Sequence, residues 1–176
     1  MKIAMVASEA APFLKTGGLG DVMQGLPAAL SRDPANEVVL ILPYYGKIKA
    51  DPGIETEYVT GFQISLAWRR CYVGLFRLKT EGPLQVWFVD NEQYFDRPTV
   101  YGQGDDGERF AFFSRAVPAC LNAMSFWPDD PLQRLADRPY PRADENGVRS
   151  GVPLYQNRVH HPQCGVSGLG RPGLQL

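Results

Sequence analysis

The chain is poor in the features that mark several protein classes. It has three cysteines, Cys71, Cys120 and Cys164, in 176 residues. They form no CxxC spacing and leave one odd, so neither a disulfide framework nor a zinc knuckle is supported, and they read as scattered small hydrophobes. No run of 18 apolar residues exists, and the N-terminal apolar stretch ends at Ser8-Glu9, so neither a membrane span nor a signal sequence is indicated. A formal net charge of -1 without a concentrated basic patch argues against nucleic-acid and membrane-surface partners. The expected compartment is cytoplasmic.

A further absence divides the chain. Residues 131–176 contain no Phe, no Trp and no Lys, but six Arg, six Pro and both histidines, and no apolar periodicity persists there. Such a stretch cannot bury enough apolar area to offset its conformational entropy. Two regions are therefore expected: a folded part over residues 1–130 and a disordered extension over 131–176.

Within the first region, KIAMVAS (Lys2 to Ser8) and EVVLILP (Glu37 to Pro43) are continuous apolar runs, as in strands buried on both faces of a parallel sheet. Between them, LGDVMQGLPAALSR places Leu19, Val22, Met23, Leu26 and Leu30 at helical spacing, which predicts one stripe packed on a sheet. Pro27 should kink or split that helix. Strand, helix and strand form a βαβ unit and predict an α/β, doubly wound sheet.

The stretch YYGKIKADPG reads as a loop. EYVTGFQISLAW and RRCYVGLFRLK, rich in β-branched and aromatic residues, read as an antiparallel excursion, and LQVWFVD (Leu84 to Asp90) as a further apolar strand. GERFAFFSRAVPACLNAM predicts a helix with Phe110, Phe113, Val117, Leu121 and Met124 as its core stripe, and with Asp105 or Asp106 available to cap it.

The turn FLKTGGLGDV (Phe13 to Val22) carries the chemistry. A glycine-rich turn between a buried strand and a helix presents backbone N–H groups and the positive end of the helix dipole, a natural seat for an anion. Gly17 and Gly18 remove β-carbons that would hold a phosphate away, and Lys15 adds a movable positive charge. A P-loop needs its lysine after the glycines, and a dinucleotide fingerprint would need glycine where Met23 stands, so both fail, and with them a nucleotide-binding oxidoreductase. A structural glycine turn beside a solvated lysine is the plain alternative.

SEAAPFLKTGGLGDVMQGLPAAL, Ser8 to Leu30, strongly resembles the N-terminal signature of bacterial glycogen synthases and plant starch synthases, ADP-glucose-dependent glucosyltransferases with two Rossmann-like domains (the GT-B type). EVVLILPYYGKI, VWFVDNEQYFDRPTVYG and DDGERFAFFSRA resemble later parts of the same family, so the likeness covers about residues 1–130; Pro118 is not expected there. The resemblance implies an incomplete N-terminal Rossmann-like domain, its parallel sheet carrying an antiparallel excursion. It implies transfer of glucose from ADP-glucose to the non-reducing end of an α-1,4-glucan with retained configuration. It assigns Lys15, Gly17 and Gly18 to the donor and Asp21, as the catalytic candidate, to the transferred sugar; favouring the helix N-terminus is the equal alternative for Asp21. Phe95 and Tyr101 are candidates for glucan contacts, with ordinary packing the better reading of each. No metal cluster and no cofactor are implied. The second domain, which supplies most nucleotide contacts in the family, has no counterpart in the 176 residues, so the chain alone is expected to be inactive; a nucleotide- or glucan-binding module is the non-enzymatic alternative.

The resemblance also accounts for the composition break. Codons permitted for Pro131 to Tyr140, read one base later, spell His-Cys-Asn-Asp-Trp-Gln-Thr-Gly-Leu. Those for Asn157 to Gly168 spell Thr-Val-Phe-Thr-Ile-His-Asn-Val-Glu-Tyr-Gln-Gly at the same offset. Both resemble the family's continuation, so a frameshift near Asp129 to Pro131 is expected. His160 and His161 are then accidents of codon phase rather than a metal or catalytic pair.

Overall fold

A computed structural model of the chain describes residues 1–129; the expectations for 131–176, including His160 and His161, lie outside the described residues. The elements run β1 (Lys2–Val6), α1 (Gly18–Leu30), β2 (Glu37–Pro43), α2 (Gly46–Lys49), β3 (Thr56–Leu66), β4 (Arg69–Leu78), β5 (Gln85–Asp90), α3 (Glu92–Phe95) and α4 (Asp106–Ala123). Among the described residues one five-stranded sheet has the order β1-β2-β5-β4-β3. β1, β2 and β5 are parallel, and β5-β4-β3 continue antiparallel, so the expected excursion extends the sheet on the β5 side.

The core lies where apolar runs meet. β2 is buried from Val38 to Pro43, as an interior parallel strand requires. Its end and β5 feed an aromatic cluster in which Tyr44 stacks on Phe88 at 5.1 Å and Phe13 meets Phe88 edge-on at 5.3 Å. On the antiparallel pair, Val73 and Leu75 point into the core, as the alternation predicts.

Four local expectations need correction. The helix from Gly18 buries Gly20, Met23 and Pro27, while Leu19, Val22 and Leu26 are exposed, so the predicted stripe is rotated and only Met23 of its residues is fully buried. Pro27 does not split the helix; its ring lies on the buried side, where packing offsets the lost N–H bond. The loop after Tyr45 contains the single-turn α2, anchored by buried Ile48. In α4 the buried stripe is Arg109, Phe112, Phe113, Ala116, Val117 and Cys120, with Phe110, Leu121 and Met124 only partly covered. Asp105 occupies the N-cap position of α4 without a side-chain cap bond. Pro118 sits inside α4 on its exposed side.

Candidate functional site

The glycine turn lies past the C-terminal end of β1, where open α/β sheets place their ligands. The strand hands over through the Ala7 N–H, which donates to the Ile41 carbonyl at 3.2 Å, and a short bridge pairs Ala10 with Leu14. The turn is then fixed from inside by Glu9. This carboxylate is 3% exposed, and its Oε2 accepts from the Thr16 N–H at 2.7 Å and from the Thr16 hydroxyl. In the sequence Glu9 carries no mark of this role beyond being an acid shortly after the first apolar run.

Gly17 is the N-cap residue of α1, in extended conformation, and no side chain caps the helix. The first amides of α1 therefore lack an intrahelical partner and form the positive end of its dipole. Both Gly17 and Gly18 are exposed. A β-carbon at Gly18 would meet nothing within 4 Å, and one at Gly17 would come no closer than 3.9 Å to Glu9 Oε1, so space is open above both.

The glycine that the packing demands is Gly20. A β-carbon there would lie 2.9 Å from Lys15 Cγ and 3.0 Å from Lys15 Cβ, and the Gly20 carbonyl accepts from the Ala11 N–H at 3.0 Å. Gly20→Ala must push the Lys15 segment off the helix. The expected result is a loss of about 1–3 kcal/mol of stability in urea denaturation, with Gly18→Ala within about 0.5 kcal/mol of the parent.

Lys15 and Asp21 come together across this turn. Lys15 Nζ lies 2.7 Å from Asp21 Oδ1, with the two side chains 47% and 58% exposed. Such an exposed pair is worth at most about 1 kcal/mol, so it holds the ammonium in place without committing it. Asp21 is also the acid in the first turn of α1. Its position serves the helix terminus and the lysine together.

The other two candidates separate. Phe95 is fully buried against Tyr45, Phe112 and Phe113, with centroids 5.7, 5.9 and 6.1 Å away, so it packs the core and has no free face. Tyr101 is exposed, with its ring 5.7 Å from that of Phe110 and its hydroxyl 2.5 Å from Ser8 Oγ. Beside it the Tyr45 hydroxyl donates to the Ser8 carbonyl at 2.9 Å, and burial above all pushes that phenol well up from its ordinary value. Beneath this wall Arg109 is fully buried. Its Nε donates to the Tyr94 carbonyl at 2.7 Å, and its Nη1 to the Val100 carbonyl at 3.0 Å and to Asp106 Oδ1 at 2.6 Å.

A cavity of about 400 Å³ lies elsewhere, between α1 and the β4–β5 connection, and is lined by Phe13, Met23, Leu40, Leu78 and Leu84 among others. It is apolar, and neither Lys15 nor Gly17 nor Gly18 reaches it. Among the described residues no helix is long and apolar enough to cross a membrane.

The family model described as starch synthase catalytic domain matches residues 2–130. Glycogen synthases of Streptococcus pneumoniae strains Hungary19A-6 and 70585 are 47% identical over 129 residues, which is 73% of this chain and 27% of each of theirs. The catalytic domain of starch synthase IV from Arabidopsis thaliana, solved bound to ADP and acarbose, superposes with a TM-score of 0.63 at 32% identity, covering 72% of this chain and 26% of that one. The chain thus spans about a quarter of the length of the curated relatives it matches.

Proposed function

The chain belongs to the starch synthase catalytic domain family, and from that premise we propose that its glycine turn is the donor half of a retaining glucosyltransferase site. The donor is ADP-glucose and the acceptor is the non-reducing end of an α-1,4-glucan. The bond from the anomeric carbon of glucose to the diphosphate oxygen breaks, the acceptor O4 bonds to that carbon on the same face, and negative charge grows on the departing ADP, which takes up the proton of the acceptor hydroxyl as it leaves.

The amides at Gly17 and Gly18 and the Lys15 ammonium meet that charge. Their attraction is stronger in the transition state than before bond breaking, which is the condition for raising rate rather than affinity. Lys15 turns from Asp21 toward the diphosphate, and Asp21, so released, accepts hydrogen bonds from hydroxyls of the transferred sugar. The single observation that carries the reading is the open space above Gly17 and Gly18 beside a loosely held lysine.

Alone, the 176-residue chain is expected to transfer no glucose from ADP-glucose to glycogen, since it spans about a quarter of the length of the curated relatives it matches. Normal turnover by the isolated chain would overturn that expectation. A non-catalytic binding module is the second reading; tight equilibrium binding of ADP-glucose or maltooligosaccharides by the isolated chain would favour it, since half a cleft binds both feebly. The family match ends at residue 130, in accord with a shift of reading frame near Asp129 to Pro131. Sequencing the coding DNA tests this: the frame one base later is expected to encode the family's continuation, and any other content refutes the shift.

A further inference from the structure

We propose that Glu9 is a positioning residue of the donor seat: by drawing both donors of Thr16 into the fold, it leaves the amides that follow, those of Gly17, Gly18 and Leu19, open to a diphosphate. The proposal deepens the donor-site reading and rests on it.

The first amides of a helix have no intrahelical acceptor, and whatever takes them decides what the helix end can bind. At α1 they divide. The Thr16 N–H donates to Glu9 Oε2 at 2.7 Å, and the Gly20 N–H donates to the Gly17 carbonyl at 3.2 Å. Among the described residues the amides between them, those of Gly17, Gly18 and Leu19, meet no protein acceptor, and no side chain caps the helix. Consecutive open amides at a helix start form a concave seat for an anion. Its near boundary is Thr16, where Glu9 takes hold.

The hold is firm at both ends. Oε2 accepts the Thr16 hydroxyl as well as its N–H, so one buried oxygen fixes the backbone and the side chain of that residue together. Glu9 Oε1 stands 3.9 Å from where a Gly17 β-carbon would be, which puts the carboxylate against the first glycine of the seat. The backbone of Glu9 is itself pinned. Before it, the Ser8 carbonyl accepts from the Tyr45 hydroxyl at 2.9 Å, and the Ser8 hydroxyl lies 2.5 Å from that of Tyr101. After it, Ala10 is fully buried, and its carbonyl accepts from the Leu14 N–H at 3.0 Å. A carboxylate next to an anion seat repels the anion, so an acid is a poor choice there unless its bonds are needed. Hydrogen bonds to a charged acceptor are roughly twice as strong as neutral ones. Donors that meet developing charge without reorganising depend on such a support, whereas Lys15, in an exposed pair with Asp21, has none.

The test follows amide NMR of the full 176-residue chain with ADP as the probe. Glu9→Asp keeps the charge but falls one carbon short of Thr16, while Glu9→Gln keeps the reach and one accepting oxygen. In Glu9→Asp, hydrogen exchange at the Thr16 amide is expected to quicken at least ~10-fold and ADP affinity at Gly17, Gly18 and Leu19 to fall at least ~5-fold, with the near-UV circular dichroism of the parent retained. Glu9→Gln should recover part of both. Unchanged Thr16 exchange in Glu9→Asp overturns the proposal. So does parental ADP affinity once Thr16 has been freed, which makes Glu9 a merely structural group, or a Glu9→Gln chain that binds ADP more weakly than Glu9→Asp, which makes charge rather than reach decisive. Should the Glu9 variants fail to fold, Thr16→Val decides: it lacks the hydroxyl and is expected to weaken ADP at least ~2-fold, whereas Thr16→Ser matches the parent. Equal affinity in Thr16→Val and the parent counts against the proposal. If ADP moves none of the three amides even in the parent, the donor-site reading itself fails and this proposal falls with it, whatever Thr16 exchange shows.

Discussion

Lys15→Ala is expected to lower kcat by about 10²–10³-fold in a chimera that joins residues 1–130 of this chain to the remainder of a Streptococcus pneumoniae glycogen synthase. The magnitude is that of removing one charge-stabilising group from a site where charge develops. The side chain is half exposed and its partner Asp21 more so, hence the substitution removes little from the fold, and stability should change by less than about 1 kcal/mol. Lys15→Arg keeps the charge but spreads it over a planar group, and is expected to recover only part of the rate. Asp21→Asn separates the two roles of that carboxylate. If it only serves the helix end, kcat should change little; if it holds the transferred sugar, kcat should fall with KM for the glucan nearly constant. Steady-state kinetics with ADP-glucose and glucan varied in turn measures each outcome.

Arg109→Ala is expected to cost about 3–5 kcal/mol, a large share of the stability of a domain this size. The guanidinium is fully buried and ties three segments together: the Tyr94 carbonyl of α3, the Val100 carbonyl of the following loop, and Asp106 at the start of α4. Its Nη2 has no hydrogen-bond partner among the described residues, so the group already bears a desolvation cost that the other bonds must offset. Removal strips donors from two carbonyls and opens a cavity. Arg109→Met, which refills the volume, should cost less, and urea denaturation of both variants checks the order.

The same cluster fixes a pH dependence. Burial pushes the Asp106 carboxyl up, but the Arg109 bond and the Gly102 and Gln103 amides outweigh it and hold that carboxyl below its ordinary value. The Tyr94 hydroxyl, and then the Arg69 guanidinium, lower Glu108 in the same sense against partial desolvation. A carboxyl depressed in the folded state contributes stability that is present above its unfolded pKa and lost as pH falls through its folded one. With ordinary values of 3.8 and 4.5 for these groups, stability should hold steady above about pH 5 and decline below about pH 4. Arg109→Met should flatten that acid limb.

Much of the sheet was legible because its strands are of two recognisable kinds. Glu37–Pro43 and Gln85–Asp90 are continuous apolar runs, and β3 with β4 are rich in β-branched and aromatic residues with polar ones between them, so the parallel core and antiparallel extension could be told apart. The inward face of α1 was not legible. Leu19, Val22 and Leu26 are as apolar as Met23, and periodicity reports every surface a helix covers without saying which one meets the sheet.

The site divides in the same way. Lys15, Gly17, Gly18 and Asp21 lie within seven residues, where a turn between strand and helix brings them together in any version of the fold. Glu9, Gly20 and Arg109 depend on what the chain brings near them. Glu9 reads as one more surface acid until Thr16 folds back onto it. Gly20 reads as a helix residue until Lys15 passes 2.9 Å from where its β-carbon would stand. Arg109, in the charged stretch DDGERF, reads as solvated until α3 and the Val100 loop close over it. Residue type signals chemistry over short spans, whereas burial is a property of the assembled layers.

The measurement closest to the central claim is an amide NMR titration of this chain with ADP and, separately, with AMP. The account predicts that ADP shifts the Gly17, Gly18 and Leu19 signals with weak affinity, that AMP moves them far less, and that Lys15→Ala abolishes the ADP response. Shifts confined to other residues, or equal responses to ADP and AMP, would contradict it.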